Sequence, residues 1–365
     1  MVEQNTGPQD VEDLDLGALL GETRVGLTGS IGARLEMSFG DYEFKAYHHA
    51  YVTFDAIYDQ AANNFGFDLH YFNVFFGASL ADRIFAEIQI EVEHASEIGI
   101  RFAQVDVRIF DWLIARVGKF LVPVGIYNEH LYPEIFTKLP RGPLVLTHRH
   151  IIPAVWHEVG VQLRGQYSWK PKWGINYALF LVNGLQQDDD AETPQVEDGG
   201  RIRDMRKNLR DLSDSDKAFG GRVGVQLGMV GAGVSAYHGA YSADGEKRLT
   251  LLVADFELNW RALVWRTEAA LLLQQATARN FTRWGIYTRM AYRVIPHLEP
   301  AVGFDMIRMD EGLQEDVYQV VFGINIYPMP RVVPAWIVRA AYALRRNRGD
   351  DVADDQVVLQ MTIGY

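Results

Sequence analysis

Charged and histidine side chains crowd one stretch of the chain: Glu129, His130, Glu134, Lys138, Arg141, His148, Arg149 and His150. Lys138, Arg141 and Arg149, opposed by Glu129 and Glu134, would set an electrostatic potential for ions passing close by, or would tie the segment to a wall by ion pairs. In a narrow passage both hold together. His148 and His150 fall on one side of an extended chain, and with His130 and His157 they raise the question of a metal site. No carboxylate stands at a diagnostic spacing from them, so no metal is assigned.

A second set of charges lies in rows. Glu87, Glu91 and Glu93 recur on one face of FAEIQIEVEH, followed by Arg101 and Arg108 on the next segment and by Arg116 and Arg164 on the two after it. Acid on one wall and base on another is expected to set up a field across the space between them. The acidic run Asp188, Asp189, Asp190, Glu192, Glu197 and Asp198 precedes the basic Arg201, Arg203, Arg206, Lys207 and Arg210. It reads as a solvated loop, with cation-bridged contact to lipopolysaccharide or docking of another envelope protein as alternatives. Catalytic motifs are missing: there is no GxSxG elbow, no HExxH, no phosphate-binding loop and no glycine-rich strand-to-helix fingerprint. No catalytic residue and no cofactor are assigned, and the protein is not expected to be an enzyme.

The elements that hold these side chains are strands. Ile84, Ala86, Ile88, Ile90 and Val92 alternate with Glu87, Gln89, Glu91 and Glu93, a period of two. The pattern returns in 44–55, 250–260, 263–274, 284–294 and 298–306, and in the final Val357, Leu359, Met361, Ile363 and Tyr365. A soluble sandwich also alternates. Three features argue instead for a transmembrane antiparallel β-barrel, an all-β fold. The charged faces carry full Glu, Asp and Arg, the segments have the length of a tilted bilayer-crossing strand, and aromatics such as Tyr42, Phe110, Trp112, Trp169, Trp173, Trp260 and Tyr365 gather at segment ends. Short connections at 110–113, 168–173, 228–232, 260–262, 295–297 and 328–334 alternate with connections that include two long ones, 121–155 and 184–217. That is the expected asymmetry of a barrel with one turn rim and one loop rim. Counting back from a periplasmic C-terminus makes 43–56 the first of 16 strands; 29–39 breaks the parity and is a lead-in or part of a pair that makes 18. Residues 1–40 are expected to be a periplasmic or lumenal lead-in and 41–365 the barrel. Asp10 to Leu20 reads as a short amphipathic helix or a tail.

Composition bounds the function. The 365 residues carry a net charge of −12, which argues against nucleic acid held by a basic surface. Cysteine is absent, which removes disulfides, thiolate metal sites and cysteine nucleophiles. The opening MVEQNTGPQD has neither the basic start nor the apolar core of a signal peptide, and no apolar run reaches the length of a spanning helix.

The stretch 70–165 resembles the phosphate-selective porin O and P family of Gram-negative outer membranes, taken broadly. The resemblance is carried by FAEIQIEVEH (85–94), RVGKFLVPVGIYNEH (116–130), RGPLV (141–145) and IIPAVWHEVGVQLRG (151–165), with HLEPAVGFD (297–305) in keeping. It implies a porin of 16 strands, commonly a homotrimer, whose long third loop, here 121–155, folds into the lumen as the constriction. The family's anion ladder does not carry over, because the rows here are mixed in sign. The expectation is a bacterial outer-membrane porin: a water-filled channel for passive diffusion of small hydrophilic solutes or ions, in contact with membrane lipid and lipopolysaccharide. The alternative is a porin-like barrel, closed by residues 1–40, that acts as a scaffold in a larger envelope assembly.

Overall fold

The computed structural model describes residues 23–27, 33–39, 42–147, 151–186, 202–206, 217–242, 244–276, 279–310, 316–347 and 354–364. Its strands are β1 (Thr23–Leu27), β2 (Ala33–Phe39), β3 (Tyr42–Asp59), β4 (Asn64–Leu80), β5 (Ile84–Glu93), β6 (Glu97–Phe110), β7 (Leu113–Leu121), β8 (His157–Lys170) and β9 (Trp173–Val182). They continue as β10 (Ala218–Leu227), β11 (Val230–Ala240), β12 (Arg248–Trp260), β13 (Leu263–Gln274), β14 (Phe281–Tyr292), β15 (Leu298–Arg308), β16 (Val317–Ile326), β17 (Ile337–Asn347) and β18 (Gln356–Gly364).

From β3 to β18 each strand pairs antiparallel with the next, and β18 returns to β3, from Gln356 opposite Asp59 to Gly364 opposite Tyr51. Sixteen strands therefore close a barrel, as the parity count requires. The two remaining strands stand outside the ring. β1 and β2 form a hairpin, and β2 pairs Arg34–Phe39 with Tyr42–Tyr47, the part of β3 that lies beyond the end of β18. β2, the described part of 29–39, thus adds with β1 a hairpin to the sheet without making an 18-strand barrel.

Burial runs opposite to that of a soluble sandwich. Along β14 the buried positions are Phe281, Arg283, Gly285, Tyr287, Arg289 and Ala291, while Thr282, Trp284 and Met290 are exposed. Elsewhere Glu91, Asp255, Glu268, Asp305 and Arg339 are buried while Val223, Val234, Leu252, Phe304, Phe322 and Leu359 are exposed. Charges inside and large apolar side chains outside are the arrangement that hydrocarbon solvates on the outer face. Phe110, Trp112, Trp169, Trp173 and Trp260 are exposed beside the short turns and so share one rim. Tyr365 and the side chain of Tyr42 lie outside the described residues.

Ala254 stands mid-strand on the outer face of β12, beside Leu252 and Val234. Ala254→Arg is expected to destabilise the barrel by about 2–4 kcal/mol in a lipid bilayer. Denaturant unfolding from lipid vesicles measures this, and in detergent micelles the loss should shrink.

Candidate functional site

β7 ends at Leu121 and β8 begins at His157; the connection between them, 122–156, packs against the inner wall of the barrel. Its stem is closed by Asn128, whose Nδ2 donates to the carbonyls of Val122 (2.9 Å) and Trp156 (2.8 Å) while its Oδ1 accepts from the Trp156 amide (2.7 Å). A π-helical turn, Tyr127–Leu131, and a short helix α1, Leu144–Thr147, interrupt an otherwise irregular path. Such a path leaves backbone amides without partners in the chain itself, so the wall must supply them.

The wall supplies them at three places. Ser235 on β11 accepts from the Gly125 amide at 2.9 Å, and Glu268 on β13 accepts from the amides of Ile126 (2.9 Å) and Tyr127 (2.6 Å) and from the Tyr287 hydroxyl (3.0 Å). Gly125 adopts φ +67°, and its missing side chain leaves the space that the Glu268 carboxylate occupies. On the far side Arg339 of β17 donates to the carbonyls of Glu134 (2.6 Å) and Thr137 (3.1 Å) and, through its other terminal nitrogen, to Gln360 and Thr362 of β18. Lys138 reaches Glu299 on β15 at 3.1 Å, and Asn325 on β16 donates to the Lys138 carbonyl at 2.9 Å.

Apolar contacts follow the same route. Leu139 packs with Ala291, Ala301, Val321, Ala341 and Ala343, over Gly303 and Gly323; a Cβ on Gly303 would stand 2.8 Å from it. Val145 and Ile151 lie over Gly285, where a Cβ would come within 2.8 Å of Val145. Val122, Val124, Ile126, Leu146, Ile152 and Trp156 share one cluster with Phe180, Tyr237, Leu251, Leu272 and Tyr287 of the wall. Burial of this size, roughly 1.5–3 kcal/mol per large side chain, holds the connection down more strongly than its polar bonds do.

The residues singled out from sequence separate into three groups. Glu129 bonds Arg164 and stands 3.8 Å from Arg116, which itself pairs bidentately with Asp106. Burial pushes the Glu129 carboxyl up, but the charges of Arg164, His130 and Arg116 outweigh it and hold it below the usual carboxylate range. Glu134 is pushed up, by burial first and then by the nearby Asp55, against the pull of His70 and Arg339. Burial lowers Lys138, and Glu299 opposes the shift.

Glu91 and Glu93 both bond Arg101 on the neighbouring strand, and Glu87 lies near Tyr47, Gln104 and Arg116. Glu91, Glu93 and Arg101 thus form contact pairs, because β5 and β6 are neighbours and long side chains bridge them directly. Arg108 sits over the Phe85 ring beside the short turns. Arg149, with His148 and His150, lies outside the described residues, as do the acidic run 188–198 and the helix expected at Asp10 to Leu20.

Arg141, exposed and with φ +62°, makes no ion pair among the described residues. It borders a cavity of about 270 Å³ lined also by His70, Glu93, His94, Arg289 and Arg345. Sequence reasoning missed Asp55, His70 and Arg339 as parts of the site. Asp55 was legible as one charged residue of an alternating strand, but its meeting with His70 depends on the register of β3 and β4 and its meeting with Glu134 on the path of the connection.

No protein-family model matches the chain. An uncharacterized protein of Aquifex aeolicus (strain VF5) is 26% identical over 262 residues, 64% of this chain; the chain spans 57% of the length of that relative. Three similar solved structures are outer-membrane proteins or porins. A loop L8 deletion mutant of OmpT, an outer membrane protein of Vibrio cholerae, has a TM-score of 0.62 at 8% identity, over 88% of this chain and 99% of that one. The anion-selective porin from Comamonas acidovorans has a TM-score of 0.62 at 12% identity, with the same coverage. Salmonella typhi OmpF in complex with daunomycin has a TM-score of 0.62 at 11% identity, over 88% and 98%. At these identities the likeness is one of fold: this chain folds like the porins of bacterial outer membranes.

Glu268→Ala removes the acceptor shared by the Ile126 and Tyr127 amides and the Tyr287 hydroxyl. Each orphaned donor costs about 1–3 kcal/mol. Hydrogen exchange at Ile126 and Tyr127 is expected to accelerate by at least about tenfold, with the strands unchanged.

Proposed function

We propose that this protein is a porin of the bacterial outer membrane whose lumen, narrowed by 122–156, passes small hydrophilic solutes or ions by diffusion. The observation that carries the reading is a closed ring of 16 strands, apolar outside and charged inside, with one long connection bonded to the inner face from β11 round to β18. The third loop-rim connection is then the constriction. Its Lys138, Arg141, Glu129 and Glu134, together with Arg149, shape the local potential. Of the wall residues, Glu87, Glu91, Glu93, Arg101, Arg116 and Arg164 act mostly as paired dipoles, while Arg108 lies over the Phe85 ring. Contact pairs neutralise each other at short range, so the selectivity falls to the groups left over, Arg141 first.

Kinship with the phosphate-selective porin O and P family is the finer reading, supported by the residues of 85–94, 116–130, 141–145 and 151–165. With it go a homotrimer, contact with lipid and lipopolysaccharide, and a lead-in at residues 1–40 ahead of the barrel 41–365. No catalytic role is proposed. One observation favours a second reading, a closed barrel serving an envelope assembly: Glu268, Arg283, Asp305 and Arg339 are fully buried inside the ring, so little water reaches that part of the lumen. The connection 122–156 bonds to two of them, Glu268 and Arg339; closure by residues 1–40 is the notion the second reading adds.

Purified protein in a planar bilayer is expected to show small, steady single-channel conductance, and silence from a folded barrel would favour the closed reading. Arg141→Glu is expected to move the reversal potential under a salt gradient toward cation preference. An unchanged potential would remove Arg141 from the ion path.

A further inference from the structure

His70 stands where the connection meets the wall, held between two carboxylates. Its Nδ1 lies 3.1 Å from Asp55 Oδ2 on β3 and 3.4 Å from Glu134 Oε1 on the connection. Asp55 is fully buried, Glu134 is nearly so, and the side chain of His70 is 13% exposed. Among the described residues neither Asp55 oxygen nor His70 Nδ1 has a partner at hydrogen-bond geometry, so what joins them is charge at 3.1 Å.

The charges around His70 come from several elements. β3 contributes Asp55, and the connection contributes Glu134 and Arg141. Tyr71 stacks on the His70 ring at 4.0 Å, and His94 stacks at 5.6 Å. His94 is itself held by Asp68 (2.8 Å) and lies 3.8 Å from Glu93, which is committed to Arg101. Behind Glu134 lies Arg339, bonded to its carbonyl. The buried part of the group is thus two carboxylates, one guanidinium and one imidazole, with Arg141 at its water edge. It is electrically balanced only when the imidazole carries a proton, and an unbalanced buried charge is costly.

We propose that His70 is a pH-sensitive latch that fastens the connection 122–156 to the wall while protonated and loosens it when the proton leaves. The proposal rests on the channel reading for its effect on solutes but not for the latch itself. The sign follows from the balance. Below the titration of His70 the imidazolium bridges Asp55 and Glu134. As pH rises through it, two buried carboxylates are left facing each other with Arg339 alone, and the segment carrying Glu134 becomes easier to detach. The neighbouring cavity, bordered by His70, His94, Glu134 and Arg141, gives the detached segment room and the proton a path to water.

The test is hydrogen exchange read by mass spectrometry on peptides from 127–143 of the full-length folded barrel, corrected for intrinsic rates. It is run at about pH 6 and about pH 9, on either side of the ordinary histidine range. Wild-type protein is expected to lose at least about tenfold of its protection at the higher pH, the change in opening equilibrium that one unit of pKa difference produces. His70→Gln should be weakly protected at both values. Asp55→Asn, which removes one of the two facing carboxylates, should flatten the response, and His94→Gln should keep it. The same pH response in His70→Gln as in wild type, or no response in wild type, overturns the latch. Bilayer conductance on the same samples separates the two proposals: exchange that follows His70 in a barrel that never conducts keeps the latch and removes the channel.

Discussion

A polypeptide crossing hydrocarbon has no water to satisfy its amides, and an unpaired N–H or C=O there costs several kcal/mol. Closure of the sheet is the answer, and the pairing of β18 with β3 is where it happens. Everything else follows from that seam. A ring of sixteen strands encloses more space than the side chains of its own wall can fill. The space is then either water or another part of the chain, and among the described residues 122–156, joined by Leu185, Ile202 and Met205, packs into it.

The way this segment is held reflects a simple accounting of backbone groups. Among its described residues it forms only a π-helical turn and a four-residue helix, so its amides and carbonyls look to the wall. Glu268 and Ser235 meet its beginning, and Arg339 and Asn325 meet its middle. Glycine at inward positions makes this possible. Gly303 and Gly323 leave the hollow into which Leu139 packs, and Gly285 leaves the one beneath Val145 and Ile151. The same device lets charges cross the wall: Arg222 on β10 passes over Gly233 on β11 to reach Asp255 on β12.

These crossings change the electrostatic character of the lumen. Arg101 with Glu91 and Glu93, Arg116 with Asp106, Arg222 with Asp255 and Arg289 with Asp305 are all pairs between nearby strands. The fields of such short dipoles fall off within the Debye length, so groups without a partner weigh most in the potential of the lumen. Among the described residues Arg141 is such a group, and His70 is shared between two acids.

Much of this was legible from residue order. The period of two in 84–93 and 250–274 identified strands, the full charges on one face identified an inner wall, and turn lengths identified two rims. Those are local properties, set by which side of a pleat a residue takes and by how short a turn is. Parity even placed 43–56 as the first strand of the ring. Which charges touch was not legible, because that depends on strand register and on a connection folded back across the barrel. Glu91 and Arg101 read as charges on successive strands, and only the register brings them into direct contact. Asp55 and His70 meet across the β3–β4 pairing, and Glu134 joins them only because the connection crosses to that wall. The alternation by itself determined a barrel with a charged interior; only the tertiary structure decided how that interior is filled, because filling it is a matter of distances between residues that the chain brings together from far apart.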